Sequence, residues 1–264
     1  MDDPLSVAAG ALVSADNVVV TSTGALRTRD GFSRVRTGTL RGGYATRNMT
    51  RAYLVDGAAI TTLAGVQVAM LSTTDPVYWT EVNNLVYFSN GVDSGILTQD
   101  DALLPWAWTA PPTPVLQVWT TAASRGTPAG LVRAKCTRVL SDGRETGPGL
   151  SAEVYVPADS EVTWEVVPAG ARLYVTERDG STFRCVNTQT TLSEDFVDPL
   201  PSGCTVIEAW RGRIYAVQPM RGEGQTVVWF TQPLTYHLFN LNANFIVVPG
   251  EVRALVPTED ALLL

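Results

Sequence analysis

The chain has 264 residues, a formal charge of −7 and an ordinary 45% share of hydrophobic residues. It has no apolar run near the roughly 20 residues that cross a bilayer, so no membrane span is expected. That length buries one large core or two modest ones, and the acidic balance weighs against a protein that grips nucleic acid by neutralising phosphates.

The same balance suits a channel through which a polyanion slides, because neutral or acidic walls add no phosphate contacts. Asp2 and Asp3 stand where a signal peptide carries its basic segment, so no export signal is expected. His237 is the only histidine, which argues against a catalytic triad or a multi-histidine metal centre within the chain. Cys136, Cys185 and Cys204 have no CxxC spacing and are expected as buried free thiols. We expect no metal or other cofactor.

In chain order, the first signal is Val18-Val-Val20, a turn at Gly24 and a second strand ending at Asp30-Gly31, which reads as a hairpin. Ala52 to Leu63 places Asp56-Gly57, a strong hairpin signal, between two apolar runs. Val77 to Ser89 repeats the plan around Asn83-Asn84, since asparagine tolerates left-handed backbone. The clustered prolines in Trp106 to Pro114 predict a stiff extended linker and a boundary.

Beyond it, strands are expected at Leu131–Leu140, Ala152–Pro157, Val162–Val167, Ala171–Thr176 and Phe183–Asn187. Turn signals at Asp142-Gly143, Ala169-Gly170 and Asp179-Gly180 separate some of them. This spacing fits an immunoglobulin-like or fibronectin-like sandwich. The last third reads as a strand series: Ile207 to Val217 turning at Arg211-Gly212, Val227 to Phe230 stopping at Pro233, and Phe245 to Val248 closed by Pro249.

Val82-Asn-Asn-Leu-Val-Tyr-Phe-Ser and Ala209-Trp-Arg-Gly-Arg-Ile-Tyr-Ala share one plan, and such a recurring unit suggests propeller blades; any antiparallel sheet protein also reuses hairpins. The expected fold is all-β: a partial or complete propeller-like sheet domain over 1–108 and 205–264, with an inserted β-sandwich at 109–204.

Several groups bear on possible chemistry. Gly222-Glu-Gly224 lacks the lysine and the strand-to-helix setting of a phosphate loop and reads as a turn. Glu177, Asp179, Glu194, Asp195 and Asp198 supply carboxylates for a glycoside-hydrolysis pair, but acidic hairpin tips are usually just solvated. Trp106, Trp108 and Trp119 form either a ligand platform or domain packing, with packing favoured. Arg125, Arg133, Lys135, Arg138 and Arg144 form either a solvated strand face or a contact with an acidic neighbour. No catalytic residue is assigned, and enzyme activity is not expected.

Gly24-Ala-Leu-Arg-Thr-Arg-Asp-Gly-Phe, Trp79 to Gly91, the proline bridge, Leu173 to Phe183, Trp210-Arg-Gly-Arg-Ile-Tyr215 and Trp229-Phe-Thr-Gln-Pro-Leu234 together resemble one family. The chain is similar to the tail hub, nozzle or packaged-DNA stabilisation proteins of short-tailed bacteriophages. The resemblance implies a propeller carrying an inserted sandwich, in a hexameric or dodecameric ring around the DNA exit channel of the virion tail. It also implies portal or adaptor and other tail proteins as neighbours, and non-specific passage of genomic DNA.

One departure stands out: the roughly 170 residues outside the insert cover only about four blades at roughly 40–45 residues each. An exposed apolar strand invites pairing with another chain. Phe245, Val247, Leu262, Leu263 and Leu264 are therefore the candidate assembly residues. A glycan- or receptor-binding tail adhesin is the alternative, and a propeller glycan hydrolase a more distant one.

Overall fold

The computed structural model describes residues 18–20, 26–28, 37–120, 122–164, 167, 170–220 and 224–264. The chain divides into two compact units, Met1–Gly38 and Thr39–Leu264. In the first, β1 (Val18–Val20) pairs antiparallel with β2 (Leu26–Thr28), as the sequence predicts. The predicted turn at Gly24 and the strand end at Asp30-Gly31 lie outside the described residues.

The second unit is built of antiparallel sheets, none of them closed, and its described residues contain no α-helix. β3 (Leu40–Ala45), β4 (Ala52–Asp56), β5 (Ala59–Thr62) and β6 (Gln67–Met70) make one four-stranded meander. β7 (Tyr78–Val82), β8 (Leu85–Ser89), β9 (Ser94–Leu97) and β10 (Leu103–Leu104) make a second.

β11 (Leu116–Thr120) pairs with β14 (Ser160–Trp164). β12 (Gly130–Arg138) sits between β13 (Ala152–Val156) and β15 (Ala171–Val175), with β16 (Arg184–Cys185) at the edge. A third meander follows: β17 (Ile207–Trp210), β18 (Arg213–Met220), β19 (Gln225–Gln232) and β20 (Thr235–Phe239), with β21 (Phe245–Pro249) also on β19. β22 (Val256–Pro257) and β23 (Leu262–Leu263) close as a small hairpin.

The turns show why these residues fold so. Asn83 and Asn84 carry φ of 51° and 62° between the paired Val82 and Leu85, the left-handed pair that a two-residue hairpin needs. Arg211 and Gly212 do the same, at 45° and 74°, between Trp210 and Arg213. The Asp56-Gly57 expectation is off by one residue. Asp56 stays in the ladder opposite Ala59, and the turn is Gly57-Ala58 with Gly57 at φ 58°. The Asp56 carboxylate accepts the Thr39 N–H at 2.9 Å, which holds it outside the turn.

The three meanders stack face to face in chain order. Tyr53, Val55 and Ile60 of the first meet Val86, Phe88 and Leu97 of the second. Tyr87 and Ile96, on the opposite face of the second, meet Ile207, Ile214 and Phe239 of the third. Val217 and Val228 then turn the far face of the third toward Val252, Leu255 and Leu262. β8 therefore reads Leu-Val-Tyr-Phe without polar alternation because successive side chains point to opposite faces and both faces are covered.

All five strands expected between Leu131 and Asn187 are present with shifted bounds, β12 and β14 beginning earlier than expected, at Gly130 and Ser160, and β11 is an addition. Leu116 of β11 packs on Ala134, Cys136 and Leu173, so the two sheets of this segment share a small core.

Candidate functional site

The proline-rich stretch is not a free linker. Trp106 is fully buried beside Tyr87 and Phe239, and its Nε1 donates to the Tyr236 carbonyl at 2.9 Å. Trp108 Nε1 donates to the His237 carbonyl at 3.3 Å. Trp119 stands apart on β11, 55% exposed, so the three indoles do not form one open platform.

Most of the charged candidates find partners within the chain. Arg133 pairs with Glu153, Lys135 with Glu194, and Arg144 with Asp142, while Arg138 reaches the Thr109 hydroxyl. This fits a strand face with its own counter-ions better than a strip reserved for an acidic neighbour; Arg125 is exposed. Among the acidic candidates, Asp179 accepts the Leu131 N–H at 2.8 Å and Asp198 accepts the Leu241 N–H at 2.9 Å. Each carboxylate thus holds a separate loop.

Gly224 has φ 62° next to β19, in keeping with a turn, while Gly222 and Glu223 lie outside the described residues. The three cysteines are free and buried, and burial pushes the Cys136 and Cys204 thiols up. Among the described residues no three His, Cys, Asp or Glu side chains are placed to share a metal ion. A cleft of about 430 Å³ opens beside Tyr78, Asn90, Thr205, Gln218 and Arg253, with Arg253 paired to Glu251 at its rim.

His237 is buried on β20, and its Nε2 lies 2.9 Å from the Glu145 carbonyl, which can only accept, so this nitrogen carries the proton. Burial foremost, and then the Arg144 guanidinium, hold its basicity below the usual imidazole range, against the Glu145 carbonyl and the Asp142 carboxylate. The unfolded chain therefore binds a proton that the folded chain resists. Stability is expected to be complete above about pH 6.5 and to fall as pH drops below that value. Melting curves between pH 7.5 and 5 should show this slope, and His237→Gln should flatten it, since the chain has one histidine. An unchanged slope in the variant would assign it to other groups.

The candidate assembly residues lie on two patches. β21 runs antiparallel to the first half of β19, from Gln225 opposite Pro249 to Trp229 opposite Phe245, and the Trp229 and Phe245 rings lie 5.1 Å apart. β20 takes the far end of β19 past a bulge at Thr231/Gln232. Phe245, Ile246 and Val247 remain 40%, 47% and 47% exposed on this outer strand. The second patch is the hairpin of β22 and β23.

That hairpin is anchored to the third meander. Trp210 Nε1 donates to the Thr258 carbonyl at 2.8 Å and Arg211 Nη2 to the Glu259 carbonyl at 2.9 Å. Leu262 is half-buried against the Val217 and Val228 cluster; Leu263 and Leu264 are about half exposed. Val248 joins the same cluster, so both patches border one core.

No family model matches this sequence, and no curated protein matches it.

Proposed function

We propose that the chain is a structural component of a bacteriophage tail, a hub, nozzle or head-to-tail joining protein that assembles as a ring around the DNA exit path. The observation that carries this reading is the stack of three four-stranded meanders with β7 beside β17 and β22 beside β17. Radial repetition of such sheets about their first strands is the plan of a propeller, and residues 109–204 then form a sandwich inserted between its second and third blades. The open apolar patches at Phe245, Val247, Leu263 and Leu264 supply contacts for assembly, and the acidic charge suits a passage for DNA.

Negative-stain imaging of the purified protein tests this: rings with a central hole are expected. The competing adhesin reading draws on Trp119 and Tyr155, aromatics 55% and 64% exposed on the insert, a kind of side chain that stacks on sugar rings. A compact monomer or trimer that binds host cells, with no rings, would replace the hub by an adhesin. Leu263→Lys should reduce ring formation without lowering the melting temperature, whereas removing 259–264 would also strip Leu262 from its place against the core cluster.

A further inference from the structure

We propose that β21 is a self-complementary edge, and that in solution it pairs antiparallel with β21 of a second copy of this chain about a two-fold axis at Val247. This goes beyond the tail reading and does not depend on it, since a two-fold contact is not the repeat of a cyclic ring.

The hydrogen-bond parity of the strand carries the argument. Gly250 N–H donates to the Gly224 carbonyl and Phe230 N–H to the Asn244 carbonyl, at the two ends of the β19 and β21 pairing. In an antiparallel ladder alternate residues turn their backbone groups to the same neighbour. Asn244, Ile246, Val248 and Gly250 therefore face β19, and Phe245, Val247 and Pro249 face outward. Among the described residues no strand pairs with that outward edge.

Pro249, which has no N–H, sits at an outward position where its missing donor costs the ladder nothing. The outward donors are thus the N–H groups of Phe245 and Val247, and the outward acceptors are the carbonyls of Phe245, Val247 and Pro249. Placing the two-fold at Val247 overlaps the whole strand. Each Val247 N–H then meets the carbonyl of the partner subunit's Val247, and each Phe245 N–H meets the carbonyl of the partner subunit's Pro249. Every outward donor is satisfied, and the lone proline falls where only an acceptor is required.

The side chains agree with this pairing. Val247 lies opposite its own copy, Phe245 opposite a proline and Ile246 opposite a valine, so every cross-strand pair is apolar and none sets like charges together. No lysine or other charge guards the strand, although charged side chains are a common protection of exposed edges.

Sedimentation across a micromolar concentration series should show a monomer–dimer equilibrium. Val247→Pro removes an outward N–H and leaves the ladder to β19 intact, so it should weaken dimerisation at least about tenfold at an unchanged melting temperature. Val247→Cys should form a disulfide-linked dimer on mild oxidation, because a directly opposed hydrogen-bonded pair lies about 5.5 Å apart at Cα, within disulfide reach. Leu150→Cys, at a site 78% exposed on another segment, should not. A wild-type monomer throughout the series, a dimer unaffected by Val247→Pro, or equal cross-linking of the two cysteine variants would each overturn the proposal. Rings that persist with Val247→Pro and form no cross-link at position 247 would leave the tail reading standing and remove this one.

Discussion

Trp106→Ala is expected to destabilise the protein by about 3–5 kcal/mol, the range for truncating a fully buried aromatic. Its ring is wholly enclosed, edge-on to Tyr87 at 5.2 Å and tilted against Phe239 at 6.5 Å, between the second and third meanders. Truncation opens a cavity there and leaves the Tyr236 carbonyl without its indole donor. Trp106→Phe separates the two effects, because it keeps most of the apolar contact and loses only the hydrogen bond, for about 1–3 kcal/mol. Trp119→Ala, at an exposed site, should change stability by no more than about 0.5 kcal/mol. Urea unfolding measures all three as midpoint shifts at constant slope. A loss below about 1 kcal/mol for Trp106→Ala would mean that the proline-rich stretch merely rests on the sheets.

Hairpins were legible in the sequence where one turn residue decides the geometry. Asn83-Asn84 and Arg211-Gly212 announce left-handed backbone, and the strands on either side follow from them. Asp56-Gly57 marked the correct hairpin but not its register, because Asp56 had a competing use as acceptor for Thr39. β3 was hidden by its own composition, since Gly42-Gly43 depresses strand propensity. Yet Gly43 is required there: a Cβ would lie 2.8 Å from the Tyr53 carbonyl oxygen across the ladder.

Long-range pairing was hidden for another reason. β21 follows β20 in sequence but pairs with β19, because eight-residue β19 is long enough for two partners on one edge. The apolar strands of the candidate site were therefore visible, but which leucine points inward was not. Leu262 and Leu263 look alike in sequence, and only the position of the hairpin beside β17 turns the first against the core cluster. The contact of His237 with the Glu145 carbonyl spans a separation of 92 residues, which no local signal reports.

Gly147→Ala should be as damaging as the loss of Trp106, by about 3 kcal/mol or more, although it adds a single methyl group. A Cβ on Gly147 would fall 1.9 Å from the Val197 carbonyl oxygen and 2.6 Å from its Cα, so the obstacle is backbone and cannot rotate away. Nor can Val197 retreat easily. The adjacent Asp198 exchanges both backbone hydrogen bonds with Phe239, at 3.0 and 2.8 Å, and its carboxylate accepts the Leu241 N–H. Displacing Val197 would therefore pull on Phe239 in the core between the second and third meanders. Gly42→Ala is the control: nothing lies within 4 Å of its Cβ position, and a change of no more than about 0.5 kcal/mol is expected. If Gly147→Ala unfolds at the wild-type urea concentration, the 145–149 segment can shift as a body, and its close approach to Val197 is not what fixes it against β20.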